Sequence, residues 1–340
     1  MRRILVVSTN PDTSRALCGE LLTKTNDIRV IVACTEQQQQ QQQQQQCTLL
    51  ESILDQVGDT YWSRLESIVM DPTCPASMSL ASHELALHKD PLLSVITDIQ
   101  QQQHYQQQED SNNYVAMQRI DRVVLPLLEQ QHHRQLQQHS NQKPEPRLIH
   151  VVSSPTLPMT LPTQSSDLTL EESMIQYESW VRQYYSTNHV DDPIQMQQTL
   201  QHVYTMLLTQ QQQRRRRQLQ EQQLVIPGSS NDGSTTGGVT VLAVEAEMAV
   251  QACLDPSIRI PEQRRQRPSL SYNYPYLDRH GVFRPLLSHT NSGPDTGKMM
   301  RYLQAVPWKE KHDVIRKMNA NETFSRLPRK VTAWMQQLFS

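Results

Sequence analysis

The chain has 340 residues, enough for one large domain or two small ones. Its 32 Lys and Arg face 34 Asp and Glu, so no bulk charge draws it toward nucleic acid or a membrane surface. The hydrophobic share is low at 36 %, and glutamine explains much of that. The Gln-rich stretches 37–46, 100–108, 130–142 and 210–223 cannot bury apolar surface and read as solvated loop insertions.

The five cysteines, at 18, 34, 47, 74 and 253, are odd in number and form no CxxC pair. Free thiols in a reducing compartment fit best, so a cytoplasmic location is expected. No metal-ligand spacing occurs, and His132 and His133 lie in glutamine-rich sequence. The apolar run after the two leading arginines is too short for a signal peptide, and nothing approaches the ~18 apolar residues of a membrane span.

The elements alternate along the chain. Ile4 to Val7 reads as a strand and 14–25 as a helix. "IRVIVA" (28–33) is dense in β-branched residues without polar alternation, which suits a parallel strand covered on both faces. A helix over 48–57, a strand over 67–71 and a proline-led helix over 75–88 follow. "LLSVIT" (92–97) is a fourth strand, 112–130 a long helix despite Pro126, and "RLIHVVS" (147–153) a fifth strand. Two helical patterns, 170–185 and 194–208, interrupt the alternation within 154–227, a segment read as a helical insertion. An apolar helix is expected over 235–253, a strand over 257–260 and a terminal amphipathic helix over 330–339. Five β–α alternations predict a doubly wound parallel sheet, with ligands at the carboxyl ends of its strands.

The stretch "ILVVSTNPDTSRAL" has the shape of the first strand, turn and helix of a nucleotide-binding unit, yet its turn has no glycine. With "RVIVAC", "VMDPT", "NNYVAMQRIDRVVLPLL", "RLIHVVSS" and "DGSTTGGVTVLAVEAE", it resembles the short-chain dehydrogenase/reductase (SDR) family, closest to the carbonyl-reductase-like branch. The likeness lies in order and local flavour over most of the chain. It implies a single Rossmann-like domain over 1–340, a bound NADP or NAD, and a small carbonyl substrate. By this resemblance Asp71 contacts the adenine edge, Asn113 is the structural and catalytic asparagine, and Ser153 or Ser154 supplies the catalytic hydroxyl. The family's tyrosine and lysine fall on Asp232 and Thr236. Its three turn glycines fall on Ser8, Asp12 and Ser14, and the arginine that favours NADP falls on Thr35. The Asn-Asn-Ala-Gly loop after strand four becomes roughly 96–99.

These departures carry physical consequences. Glycines in that turn supply positive φ and let backbone approach the pyrophosphate. Asp12 instead brings a carboxylate toward it; at ~5 Å and an effective dielectric near 20 that repulsion is about 3 kcal/mol. Asp12 also reads as a cap for the helix beside it. Only Gly19 and Gly58 occur in the first 227 residues, so no other glycine-rich cradle exists there. No tyrosine is followed four residues later by lysine; Tyr185/His189 and Tyr276/His280 have that spacing with histidine and read as chance. A degenerate SDR that binds a protein partner, through its surface or Gln-rich loops, is therefore expected. The alternative is an active NADP(H)-dependent carbonyl reductase using other residues. The run Arg214–Arg217 reads as a solvated charge run, with nuclear import or nucleic-acid contact as its other readings. Tyr272, Tyr274 and Tyr276 read either as pocket lining or as packing on the sheet edge.

Overall fold

The computed structural model describes residues 1–34, 45–99, 113–137, 145–153, 168–187, 192–224, 238–258, 275–281 and 283–285. Eight strands form one sheet: β1 (Arg2–Ser8), β2 (Ile28–Cys34), β3 (Leu65–Val69), β4 (Leu92–Asp98), β5 (Arg147–Val151), β6 (Thr240–Val244), β7 (Pro275–Leu277) and β8 (Phe283–Pro285). Their order is β3-β2-β1-β4-β5-β6-β7-β8, parallel through β7, with β8 antiparallel at the edge. This is a Rossmann-like doubly wound sheet, and its order reverses between β1 and β4, where such sheets open a ligand crevice.

Helices cover both faces. On one lie α1 (Pro11–Lys24), α2 (Gln45–Val57) and the short α7 (Ala249–Leu254); on the other lie α3 (Pro75–Leu87), α4 (Asn113–Gln137), α5 (Leu170–Thr187) and α6 (Pro193–Leu224). The strands alternate between these layers. Ile4 and Val6 join one core and Leu5 and Val7 the other, so β1 is buried on both sides as its unbroken apolar run requires.

Polar residues set the helix starts. Asn10 caps α1 ahead of Pro11, accepting from the backbone N–H of Asp12 at 2.9 Å and Thr13 at 3.4 Å. Asp192 caps α6 ahead of Pro193 in the same way, accepting from Ile194 and Gln195 at 3.0 Å. At α5, Thr169 and Glu172 form a reciprocal capping box. These hydrogen bonds to Thr169 lower the Glu172 pKa from its ordinary value.

Several expectations need correction. The apolar helix over 235–253 is not formed: Thr240–Val244 is β6, buried along its whole length between β5 and β7, and α7 takes only 249–254. A run as short and apolar as Val241–Val244 fits a covered strand as well as a helix, and here the sheet decides. Ser257 and Ile258 form a turn on Asp255 instead of opening a strand; 259 and 260 lie outside the described residues. The connection from β5 to β6 is made by α5 and α6, so the helical segment before β6 is part of the covering layer. Leu200, Val203 and Leu207 of α6 are core residues.

Where described, the glutamine stretches are helical and not loops. Residues 130–137 continue α4 and 210–223 continue α6, because glutamine is a good helix former. Gln45 and Gln46 open α2; the rest of 37–46, all of 100–108, and 138–142 lie outside the described residues, as does the helix expected over 330–339. The arginine run is not simply solvated. Arg215 pairs with Glu129 of α4 at 2.6 Å, and Arg216 pairs with Glu145 at 2.7 Å while donating to Gly238 O and Thr240 Oγ1 at the entry to β6. Gly238 leaves room for that arginine, since a Cβ there would stand 2.6 Å from Arg216 Cγ.

A buried polar cluster ties α4, β5 and α6 together. The Tyr204 hydroxyl donates to Asp121 Oδ2 at 2.8 Å, His150 Nε2 lies 3.1 Å from the same oxygen, and His150 Nδ1 lies 2.9 Å from Thr205 Oγ1. All four residues are at most 1 % exposed. The helices run parallel: Asp121–Tyr204 and Glu129–Gln212 are both 83 residues apart.

Candidate functional site

Those residues singled out by sequence that the structure describes lie toward the carboxyl edge of the sheet, in two groups. The first lies at the β1–β4 reversal. Ser8 ends β1 and its hydroxyl donates to Asp98 Oδ2 at 2.9 Å; Asp98 ends β4 in register with it and is 1 % exposed. Beside this pair Asn10 occupies the α1 N-terminus, accepting from two amides that such a turn would otherwise offer to phosphate. Asp12 is therefore not the cap. It sits in the first turn of α1, its side chain 82 % exposed and 3.6 Å from Arg15. At that exposure its repulsion toward an anion falls below about 1 kcal/mol. Ser14 is not in the turn either; it lies within α1, buried, with its N–H donating to Asn10 O.

Asp71, just past β3, accepts at one carboxyl oxygen from Thr73 N at 2.8 Å and Thr73 Oγ1 at 2.7 Å, while its own N–H donates to Ser77 Oγ. It thus shapes the turn into α3. Arg119 of α4 closes over that turn, donating to Pro72 O at 2.8 Å.

The second group lies at the carboxyl ends of β4 and β5. Adjacent residues of α6 join Asn113 and Ser153: Gln197 Oε1 accepts from the Asn113 backbone N–H at 3.3 Å, and Gln198 Nε2 donates to Ser153 Oγ at 3.2 Å. One turn on, Gln201 Nε2 donates to Ile99 O at 2.6 Å, and His202 hydrogen-bonds the Ser153 backbone. Burial pushes the His202 pKa down to about 4, and its Nε2 has no hydrogen-bond partner among the described residues. Its imidazole is neutral at physiological pH. Gln197 and Gln201 thus hold the chain on either side of the glutamine stretch between Ile99 and Asn113.

Ser154, Thr35, Asp232 and Thr236 lie outside the described residues. Of the helix expected over 235–253, Thr240–Val244 is strand β6. The helix that does reach Ser153 is α6, and it contains no lysine. The lysines among the described residues are Lys24 and Lys89. Lys24 ends α1 and Lys89 precedes β4, both at the opposite edge of the sheet. Tyr204 of α6 is committed to Asp121 in the core, where burial raises its pKa well above the ordinary value.

Three of the thiols are buried and offer no nucleophile. Burial raises the pKa of Cys18, of Cys34 to about 11 and of Cys253 to about 11. Among the described residues, no three His, Cys, Asp or Glu side chains gather to hold a metal, and no helix is long and apolar enough to cross a membrane.

Sequence reasoning missed Asn10, Asp98, Gln197, Gln198, Gln201 and His202. Asn10-Pro11 and Asp192-Pro193 carried a readable signal, a capping residue followed by proline at the first helical position. The second of these marks the start of the helix that reaches the site.

No family model matches the chain, and no curated protein matches it. Among solved structures it is similar to menthone neomenthol reductase from Mentha piperita, at 14 % identity and a TM-score of 0.48, covering 76 % of this chain and 96 % of that one. It is also similar to a short-chain dehydrogenase from Streptomyces avermitilis, at 11 % identity and 0.39 over 72 % and 66 % of the two chains. A third is a short-chain dehydrogenase from Sphingobium yanoikuyae in complex with NADPH, at 10 % identity and 0.37 over 72 % and 70 %. Overlaps this loose add nothing to the strand order, on which the fold description rests.

Proposed function

We propose that the chain is a degenerate short-chain dehydrogenase/reductase: a Rossmann-like protein of the SDR kind without the standard hydride-transfer apparatus. The observation that carries this reading is the centre beside Ser153. The family's chemistry needs a tyrosine to move a proton and a lysine four residues on to lower its pKa and hold the ribose. Among the described residues, those around Ser153 and Asn113 are instead the carboxamides of Gln197 and Gln198 and a buried, neutral His202. A carboxamide neither gives up nor takes a proton near neutral pH.

The nucleotide end supports the same reading. An NADP or NAD pyrophosphate would need backbone amides that Asn10 already engages, and it would approach the Asp98 carboxyl group. Under this reading the protein acts by binding a partner, and a cytoplasmic setting suits its buried free thiols.

The test is a titration with NADPH and NADH that follows cofactor fluorescence and thermal shift together. No binding up to about millimolar cofactor is expected. Low-micromolar binding overturns the reading and calls for a carbonyl-substrate screen with Ser153, Ser154 and Asn113 replaced in turn.

A further inference from the structure

We draw no further inference here: the strongest candidate, the parallel glutamine-rich ends with which α4 and α6 continue beyond Glu129 and Arg216, each carrying the tetrapeptide Arg-Gln-Leu-Gln at 134–137 and 217–220, is a helical surface for which nothing in the structure shows what covers it.

Discussion

The Ser8 hydroxyl donates a 2.9 Å hydrogen bond to the Asp98 carboxyl group at the point where the sheet reverses its order. The two residues end adjacent parallel strands in register, so the bond closes the crevice side of β1 onto β4. In a dinucleotide-binding sheet this position faces the cofactor. Here that position carries the Asp98 carboxyl group, which an anionic ligand placed there would approach. Because Asp98 is 1 % exposed, solvent screens it far less than Asp12.

Replacing Asp98 by Asn keeps an oxygen for Ser8 and removes the charge. Combined with Asp12→Ser, it should tighten NADPH binding by roughly tenfold, the equivalent of about 1.4 kcal/mol. Equilibrium titration at low salt measures this. Unchanged affinity in the double variant would assign the obstruction to the glycine-free turn and the Asn10 cap alone.

Asn10 is predicted to contribute stability and not only obstruction. Asn10→Ala removes the acceptor for the Asp12 and Thr13 amides and should cost about 1 kcal/mol; Asn10→Gly should cost only a few tenths. Urea unfolding separates the two. Equal losses would mean that the cap hydrogen bonds add nothing.

Much of this architecture was legible. The runs at 4–7, 28–33 and 92–97 are too apolar and too β-branched for a half-solvated strand, and all three lie inside the sheet, covered by helices on both faces. Thr240–Val244 was not legible, because a five-residue, largely apolar segment carries no period long enough to separate strand from helix. The α6 tail was misread because composition alone treats glutamine and arginine as solvated. The ion pairs that anchor it, Arg215–Glu129 and Arg216–Glu145, join residues remote in sequence. The site followed the same pattern. Asn113 and Ser153 were singled out by the family resemblance of their segments, whereas Gln197, Gln198 and Asp98 became visible only through α6 packing and β1–β4 register.

The Asp121 cluster makes a second stability prediction. Asp121→Ala leaves the Tyr204 hydroxyl and His150 Nε2 without their partner in a site at most 1 % exposed. Burying unpaired polar groups should cost about 3 kcal/mol. Tyr204→Phe removes one donor to Asp121 and should cost about 1–2 kcal/mol. Their sum should exceed the double variant by at least about 0.5 kcal/mol, since both remove the same hydrogen bond. Strict additivity in chemical denaturation would show that the two residues are not coupled.

Arg216 should be the arginine of the 214–217 run on which stability depends most. It reaches Glu145, Gly238 and Thr240, pinning α6 to the entries of β5 and β6. Arg216→Ala, and Gly238→Ala by forcing the guanidinium away, should each cost about 1–2 kcal/mol. Arg214 is exposed, and Arg214→Ala should cost less than Arg216→Ala. Thermal denaturation of the three variants ranks them. A larger loss from Arg214→Ala than from Arg216→Ala would contradict this placement.

His202 gives the protein a predicted sensitivity to acid. Its folded pKa of about 4 lies below the ordinary histidine value of 6.5, and the cause is burial, opposed by the hydrogen bond to the Ser153 backbone. The unfolded chain therefore binds a proton at His202 as pH falls below 6.5, while the folded chain refuses it until about pH 4. The sign follows: this contribution is fully present above pH 6.5, declines through the window from 6.5 to 4, and is lost below it. At 1.36 kcal/mol per pKa unit, the loss across that window is about 3 kcal/mol. His202→Phe keeps a buried ring and cannot titrate. The difference in unfolding free energy between the two proteins should then change with pH across this window by about 3 kcal/mol in favour of the variant as pH falls. Parallel stability curves for wild type and variant between pH 7 and pH 4 would show that His202 is already solvated or charged in the folded state.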